Sequence, residues 1–289
     1  MKIGLLNLEP KYKNLALEKL RLYYSEQGND VEDYFALEHY DKVYASSIFT
    51  FTKKAIVPQG AICGGSGFDL TTVLPPEIES VKPHLNFGFT TRGCIRNCPF
   101  CIVPQKEGGV KVVGGLFDLW DGKSKLITLF DNNILALPDH FMGICCESHL
   151  LNVTLDFNQG LDHRLLTPEI VKLLAQISHK EYHLAFDHPS YQKSVDKAIN
   201  LMQAEGIKRC AWYVLVGYNT TLKEDLDRLN HLKERNQNAY VQRYKREPIY
   251  IPLARWANQH HIFQAMSFEE YLSLPENSYW KRRMSKVVS

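Results

Sequence analysis

The chain has 289 residues, of which 45% are hydrophobic and 23% charged, and its formal net charge is +2. The length suits one large domain or two smaller ones, and the apolar fraction is enough for a sizeable core. Bulk charge this close to zero selects neither nucleic acid nor an acidic membrane as partner, and no apolar run approaches the ~20 residues of a membrane span.

The start, "MKIGLLNLEP", reaches Glu9 and Pro10 too early for a secretory apolar region. It reads as a first strand over Lys2–Leu8, and a cytoplasmic location is expected. "NLALEKLRLYYSEQG" (Asn14–Gly28) has the pattern of an amphipathic helix ended by Gly28. "VEDYFAL" and "KVYASSIFTF" follow as a weak and a strong strand candidate. "QGAICGGSG" (Gln59–Gly67) is an apolar strand running into a glycine-rich turn. Together these predict a small Rossmann-like α/β domain over residues 1–84. "LPPEIESVKPH" (Leu74–His84) is the proline-bearing linker that ends it.

From residue 85 to 289 the alternation is more regular. Strands are expected at Leu85–Thr91, Lys125–Asp131, Leu151–Asn158, Glu181–Asp187, Arg209–Gly217 and Asn238–Tyr244. Helical patterns fall between them at Asp139–Ser148, Thr167–Ser178, Tyr191–Glu205 and Thr221–Arg235. "TPEIVKLL" puts Pro168 in a first turn, and "TTLKEDL" puts acids there. Six strands with crossover helices predict a parallel sheet curled into a partial TIM-type βα barrel. A C-terminal helical extension follows, with one short helix over Phe268–Leu274 before a frayed tail. The basic stretches Lys233–Arg246 and Lys281–Lys286 read as solvated faces.

The seven cysteines are odd in number and unevenly spread. In a reducing compartment that argues for metal or redox chemistry over a disulfide framework. Cys63 and Cys210 sit in apolar runs and read as packed core, as does the pair Cys145–Cys146. Cys94, Cys98 and Cys101 are different: "GCIRNCPFC" holds all three within nine residues. They follow the first strand of the expected barrel, so their loop opens at the end where such folds carry their sites. A structural zinc site wants four closed ligands, and an electron-carrier cluster wants four cysteines; no fourth is near. An iron–sulfur cluster on three thiolates makes that absence purposeful, because one iron keeps an open position.

The C-x-x-x-C-x-aromatic-C stretch Cys94–Cys101 resembles the signature of the radical S-adenosylmethionine superfamily. The resemblance runs roughly over Leu85–Tyr244. It is to the subgroup whose radical domain follows a cobalamin-binding-like domain. It implies a [4Fe–4S] cluster on Cys94, Cys98 and Cys101 whose open iron chelates S-adenosylmethionine. One-electron cleavage then gives methionine and a 5′-deoxyadenosyl radical, which abstracts hydrogen from an unknown substrate. A reductant such as flavodoxin or ferredoxin is implied as partner.

The remaining site residues follow from the same resemblance. Phe100 would shield the cluster, and Asp131, Asn132 and Asn133 would lie near the cofactor's amino group. Asn158, Gln159, Asp162 and Arg164 crowd around Gly160, and of these Arg164 would pair with the cofactor's carboxylate, while Asp187 would reach the ribose. Leu215, Gly217 and, through backbone groups, Val241 would meet the adenine. The first glycine of the family's G-x-I-x-G-type element is missing, with Trp212 and Tyr213 in that region. Cobalamin is not expected, because no D-x-H-x-x-G follows the first strand. Two other readings stay open. One is a member that modifies RNA or protein, docking it on the Arg235–Arg246 stretch. The other is a non-catalytic iron–sulfur or zinc binding protein.

Overall fold

The computed structural model describes residues 1–244 and 247–288, with side chains through residue 283. Its first strand, β1 (Lys2–Asn7), pairs in parallel with β2 (Asp30–Asp33) and β3 (Lys42–Ser46), and β3 with β4 (Ile62–Gly64). The strand order is β2-β1-β3-β4. Between β1 and β2 runs α1 (Leu15–Glu26), started by Asn14, whose side chain accepts the Leu17 amide. Period-2 alternation sends Ile3, Leu5 and Tyr44 to the face covered by α1 and by a short helix, α2 (Pro76–Glu79). Leu6, Leu8 and Ala45 point to the other face, where loops rather than helices cover them.

The strand expected to run to Phe51 stops at Ser46. A carboxylate explains the stop: Glu9 accepts the Ser47 hydroxyl and the amides of Ile48 and Phe49, at 2.9 to 3.3 Å. Those amides are satisfied without a ladder, so the chain turns.

The expected strand Leu85–Thr91 is also broken. It forms β5 (Phe87–Gly88), then β6 (Thr91–Arg92), separated by two residues. Here the amides of Thr90 and Thr91 go to the Asp131 carboxylate. The chain then runs through the cysteine loop, α3 (Val103–Lys106) and β7 (Lys111–Val112), which pairs antiparallel with β6. That hairpin was not foreseen.

Next come β8 (Leu126–Leu129), α4 (Pro138–Leu151), β9 (Thr154–Phe157), α5 (Pro168–Gln176) and β10 (His183–Ala185). They are followed by α6 (Gln192–Ala204), β11 (Ala211–Val216), α7 (Leu222–Glu234) and β12 (Asn238–Arg243). Two parallel sheets result, in the orders β5-β8-β9 and β10-β11-β12. Isolated parallel bridges, Leu155 with His179 and Leu161 with Leu184, lie between them. One face of these strands packs on the helices in a single core that includes Ile127, Leu155, Leu184, Trp212 and Val214. The expected third strand started at Leu151, but that residue closes α4, and Asn152 caps it in the left-handed region at φ 50°.

The C-terminal part holds more helix than expected: α8 (Tyr250–Ala257), α9 (His260–Ala265), α10 (Phe268–Ser273) and α11 (Ser278–Val288). Trp256 is fully buried and sits 4.8 Å from Phe263 and 5.3 Å from Phe268 between ring centroids. Lys245 and Arg246 of the first basic stretch lie outside the described residues, as do the side chains of the second beyond Arg283. The architecture is mixed α/β with parallel sheets and helices. Among the described residues, no helix is long and apolar enough to cross a membrane.

Candidate functional site

The cysteine loop is tied down at both ends. Gly93 enters it at φ +85°, and a Cβ there would strike the carbonyls of Gly108 and Gly109, so only glycine fits. Its amide donates to Asn132 Oδ1 at 2.9 Å, which pins the loop's entry to the end of β8. The Cys94 amide donates to the Gly108 carbonyl at 3.1 Å, closing the loop on itself. Within it the thiols receive backbone donors: Arg96 N–H to Cys94 Sγ at 3.3 Å and Val103 N–H to Cys101 Sγ at 3.5 Å. The Val103 contact works against the rise that burial gives the Cys101 thiol.

Asn133 adds a side-chain donor to the same sulfur, Nδ2 to Cys94 Sγ at 3.3 Å. It also donates to Asp162 Oδ2 at 3.3 Å. Asp162 is the hub of this end of the molecule. Arg96, from inside the cysteine motif, donates Nε to its Oδ2 at 2.8 Å, and Arg164 donates Nε to its Oδ1 at 2.7 Å. Burial pushes the Asp162 carboxyl up, but the two guanidinium groups outweigh it and hold it below the usual range. The expected carboxylate-binding Arg164 is thus already engaged by a carboxylate of its own chain, and its guanidinium also lies over the Tyr191 ring. Sequence reading singled out both residues but not their partnership, nor Arg96.

Asp131 is buried at the end of β8. Its Oδ1 takes the amides and hydroxyls of Thr90 and Thr91, while its Oδ2 is buried without a partner. Burial pushes this carboxyl up against those hydrogen bonds. Its first role is therefore to end β5 and set the loop, with one oxygen left over. Asn133 Oδ1 is likewise buried and unpartnered. Orphaned acceptors of this kind are costly unless a donor arrives.

The electrostatics gather more of the expected residues around the thiols. Burial raises the Cys98 thiol; Arg164 opposes the rise, and Cys101, Asp187 and Cys94 add to it. Burial also raises Cys101, with Cys94 and Asp187 adding to it. Asp187, at the end of β10, is itself pushed up to about 6 by burial, with Arg228 opposing. Cys101 is exposed as a residue, yet burial still bears on its thiol. Phe100 meets Tyr218 edge to face at 5.3 Å, and Tyr218 meets Tyr244 at 4.6 Å, so the loop reaches the ends of β11 and β12.

Gly217 adopts φ +76°, and a Cβ there would meet the Tyr250 ring at 2.8 Å. Its amide donates to Asp225 Oδ2 at 3.1 Å. Leu215 is buried, and its carbonyl accepts Arg228 Nη2 at 2.8 Å. Arg228 also donates to the Phe186 carbonyl and pairs with Asp225 at 2.5 Å. This buried pair, absent from the sequence reading, holds the ends of β10 and β11 together. Its only signal was the acids of "TTLKEDL", which the structure places in the first turn of α7, with Thr221 and Glu224 forming a capping box and Asp225 beside them. Val241 differs from expectation in one respect. Its N–H and carbonyl are already paired with the Asn258 side chain, at 2.6 and 3.3 Å, on the open edge of β12. Gln159 is exposed.

All seven cysteines are free. Cys145 and Cys210 are buried, and burial pushes both to about 12, so they are inert. Cys146 is exposed, contrary to the buried reading of the pair, because neighbours on a helix point about 100° apart. Cys63 is only half-buried.

No protein-family model and no curated protein matches the chain. Among the described residues, no three His, Cys, Asp or Glu side chains stand together as a set that could hold a metal ion. The donor chemistry nevertheless fits a thiolate-ligated cluster. Three thiols share one loop, Cys94 and Cys101 receive amide donors, and orphaned Asp131 and Asn133 oxygens lie on the adjoining strand end.

Proposed function

We propose that the chain is a radical S-adenosylmethionine enzyme. One observation carries the reading. Three closely spaced thiols follow the parallel strand β5 through the hairpin strand β6, and the ends of the following strands bring Asn133, Arg164 and Asp187 within hydrogen-bonding or electrostatic reach of them. On this reading β5, β8, β9, β10, β11 and β12 are the six units of a partial TIM-type barrel, over residues 85–289. Residues 1–84 are the Rossmann-like domain in front of it.

Bound at Cys94, Cys98 and Cys101, a [4Fe–4S] cluster would supply an open iron and one electron for cleaving S-adenosylmethionine. The chain's own residues do the positioning. Asn133 and the loop amides donate to the Cys94 and Cys101 sulfurs and orient them. The unpartnered Asp131 and Asn133 oxygens can accept hydrogen bonds from an ammonium group. Arg164 can exchange part of its fork from Asp162 to an incoming carboxylate. Asp187, raised toward neutrality, can share hydrogen bonds with ribose hydroxyls at the rim. Phe100 and Tyr218 exclude water from one side. A one-electron donor such as flavodoxin or ferredoxin is the implied partner; the substrate class is open.

Anaerobic reconstitution with iron and sulfide tests this. About four irons and four sulfides per chain are expected, with broad visible thiolate-to-iron absorption. Replacing Cys94, Cys98 or Cys101 by Ala should abolish the absorption; replacing Cys63, Cys145, Cys146 or Cys210 should not. With a strong reductant, the loaded protein should slowly form 5′-deoxyadenosine and methionine without added cobalamin. A full cluster in a Cys98→Ala variant would overturn the ligand assignment. A loaded, reduced protein that releases no 5′-deoxyadenosine would overturn the activity.

A further inference from the structure

A roomy hollow lies away from the thiols. It has a volume of about 950 Å³ and sits on the α1 face of the first sheet. Its origin is topological. In a parallel sheet, crossover helices normally cover both faces. Here β3 and β4 are joined through residues 47–61 with no helix between them. That connection crosses on the other face, where Val57 and Ala61 pack on Leu6, Leu8 and Ala45, while α1, which joins β1 to β2, reaches β3 through Tyr24 and Tyr44 but leaves Ile62 of β4 uncovered. Tyr44, Ile62 and Gly64, successive pairing partners on the α1 face, line the hollow, and Ile62 stays 51% exposed. A Cβ at Gly64 would touch only Thr72, at an ordinary 3.5 Å, so the space above it is open.

The opposite wall comes from the hairpin that carries the cysteine loop: Arg92, Lys106, Glu107 and Lys111. The charges around the hollow are unequal, with five lysine or arginine residues against three glutamates. Lys19 pairs with Glu79 at 3.0 Å and Arg92 with Glu107 at 3.1 Å. Lys42, Lys106 and Lys111 also line it, and the carboxylates that bear on Lys106, those of Glu107 and Asp69, act on it at a distance. Among the described residues, the Lys106 ammonium hydrogen-bonds Ser66 Oγ, at 2.6 Å, and no carboxylate. Ser66 belongs to the glycine-rich turn "GGSG", where Gly65 takes φ +92° and could carry no Cβ without striking the Ser47 carbonyl. Burial holds the Lys106 ammonium below the ordinary lysine range, which a bound anion would reverse.

We propose that this hollow is a binding site for a small amphipathic anion. The acidic group would lie on Lys106 and the Gly64–Ser66 turn, and the apolar body over Tyr44, Ile62 and Leu20. Charge complementarity selects the anion, the uncovered sheet face selects the apolar body, and the volume matches an ordinary small-molecule pocket. The occupant would touch both flanks of the cysteine loop, Arg92 before it and Lys106 after it.

The test uses the full chain as purified and a pair of fluorescent probes. 1-Anilinonaphthalene-8-sulfonate carries a sulfonate; N-phenyl-1-naphthylamine has the same rings without it. The anionic dye should bind saturably and about tenfold more tightly (~1.4 kcal/mol) than the neutral one. Lys106→Met should remove that preference while keeping neutral-dye binding. Ile62→Trp, at a half-exposed position, should weaken both dyes by filling the hollow. Octyl phosphate and octanoate should displace the anionic dye, and the stronger competitor names the acidic group. Equal affinities for the two dyes, no saturable binding, no displacement by either competitor, or wild-type affinity in both variants would each overturn the proposal.

Discussion

The two sheet regions of this molecule are open in opposite places. In the first, the strand ends are sealed and a face is open. Glu9 reaches across the ends of β1 and β3 and fills the amides of Ile48 and Phe49 and the hydroxyl of Ser47 with one carboxylate. On the α1 face, Ile62 of β4 is left uncovered. In the second region the helix-packed face is sealed by one continuous core, from Ile127 to Val241. Its strand ends carry thiols, an orphaned Asp131 oxygen and a carboxyl at Asp187 raised toward neutrality. Parallel sheets offer ligands their strand ends by default. The first region has spent that place on its own side chain, and its hollow lies elsewhere.

The sharpest way to break this contrast is to loosen the open strand ends without touching the loop. Arg228 is 2% exposed, pairs with Asp225 and caps the carbonyls of Phe186 and Leu215. Arg228→Met leaves a buried charge and two carbonyls unpaired. The expected loss is about 3–5 kcal/mol, read from the urea midpoint. Asp225→Asn combined with Arg228→Met should recover part of it, because no lone charge then remains. A double variant as unstable as the single one would show that the carbonyl caps, not the charge pair, hold β10 to β11.

Opening the sealed ends is expected to have a smaller effect. Glu9→Ala removes the acceptor for two amides and a hydroxyl near the surface of the first sheet. A loss of about 1–3 kcal/mol is expected. Burial pushes the Glu9 carboxyl up, but donors from Thr52, Ile48, Ser47 and Phe49 outweigh it and hold it low. The stability it gives is therefore present above the unfolded value and lost as pH falls through the lower folded one. A Glu9→Ala variant as stable as wild type at pH 7 would mean that water replaces the carboxylate at no cost, and the ends are not sealed.

What the sequence made legible follows the range of the interactions. Strand positions and the helices α4 to α7 were readable from apolar period and caps, all local signals. The cysteine spacing was readable because its chemistry is local too. The ends of elements were not. β3 stops for Glu9, 38 residues away from Ser47, and β5 breaks for Asp131, 41 residues from Thr90. Arg228 bonds the Phe186 carbonyl 42 residues away. A buried carboxylate or guanidinium that reorders distant backbone leaves no periodicity to read. The hollow was hidden for the same reason: it forms where α1 stops short of β4, and which strand lies beyond a helix is set by pairing, which is not written locally.

The mildest test separates two titrating groups at the open strand ends that work in opposite directions. Asp187 is raised from 3.8 to about 6 by burial, so the folded protein binds its proton more tightly than the unfolded chain. The stability from that proton is complete below pH 4 and lost as pH rises through about 6. His163 is buried between β10 and α6, with Nε2 3.0 Å from Ser194 Oγ, and burial lowers it from 6.5 to about 4. Its contribution is complete above pH 6.5 and lost as pH falls through about 4. Across pH 4–6.5 the two slopes oppose each other and largely cancel in the wild type. Asp187→Asn should uncover a stability that rises with pH over this window, and His163→Gln one that falls. Each change should be on the order of 1 kcal/mol, since the half-buried Asp187 is partly screened by water. Urea titrations at half-unit pH steps would resolve it. Parallel curves for wild type and both variants would mean that neither group is desolvated, and that the strand ends are wetter than their burial implies.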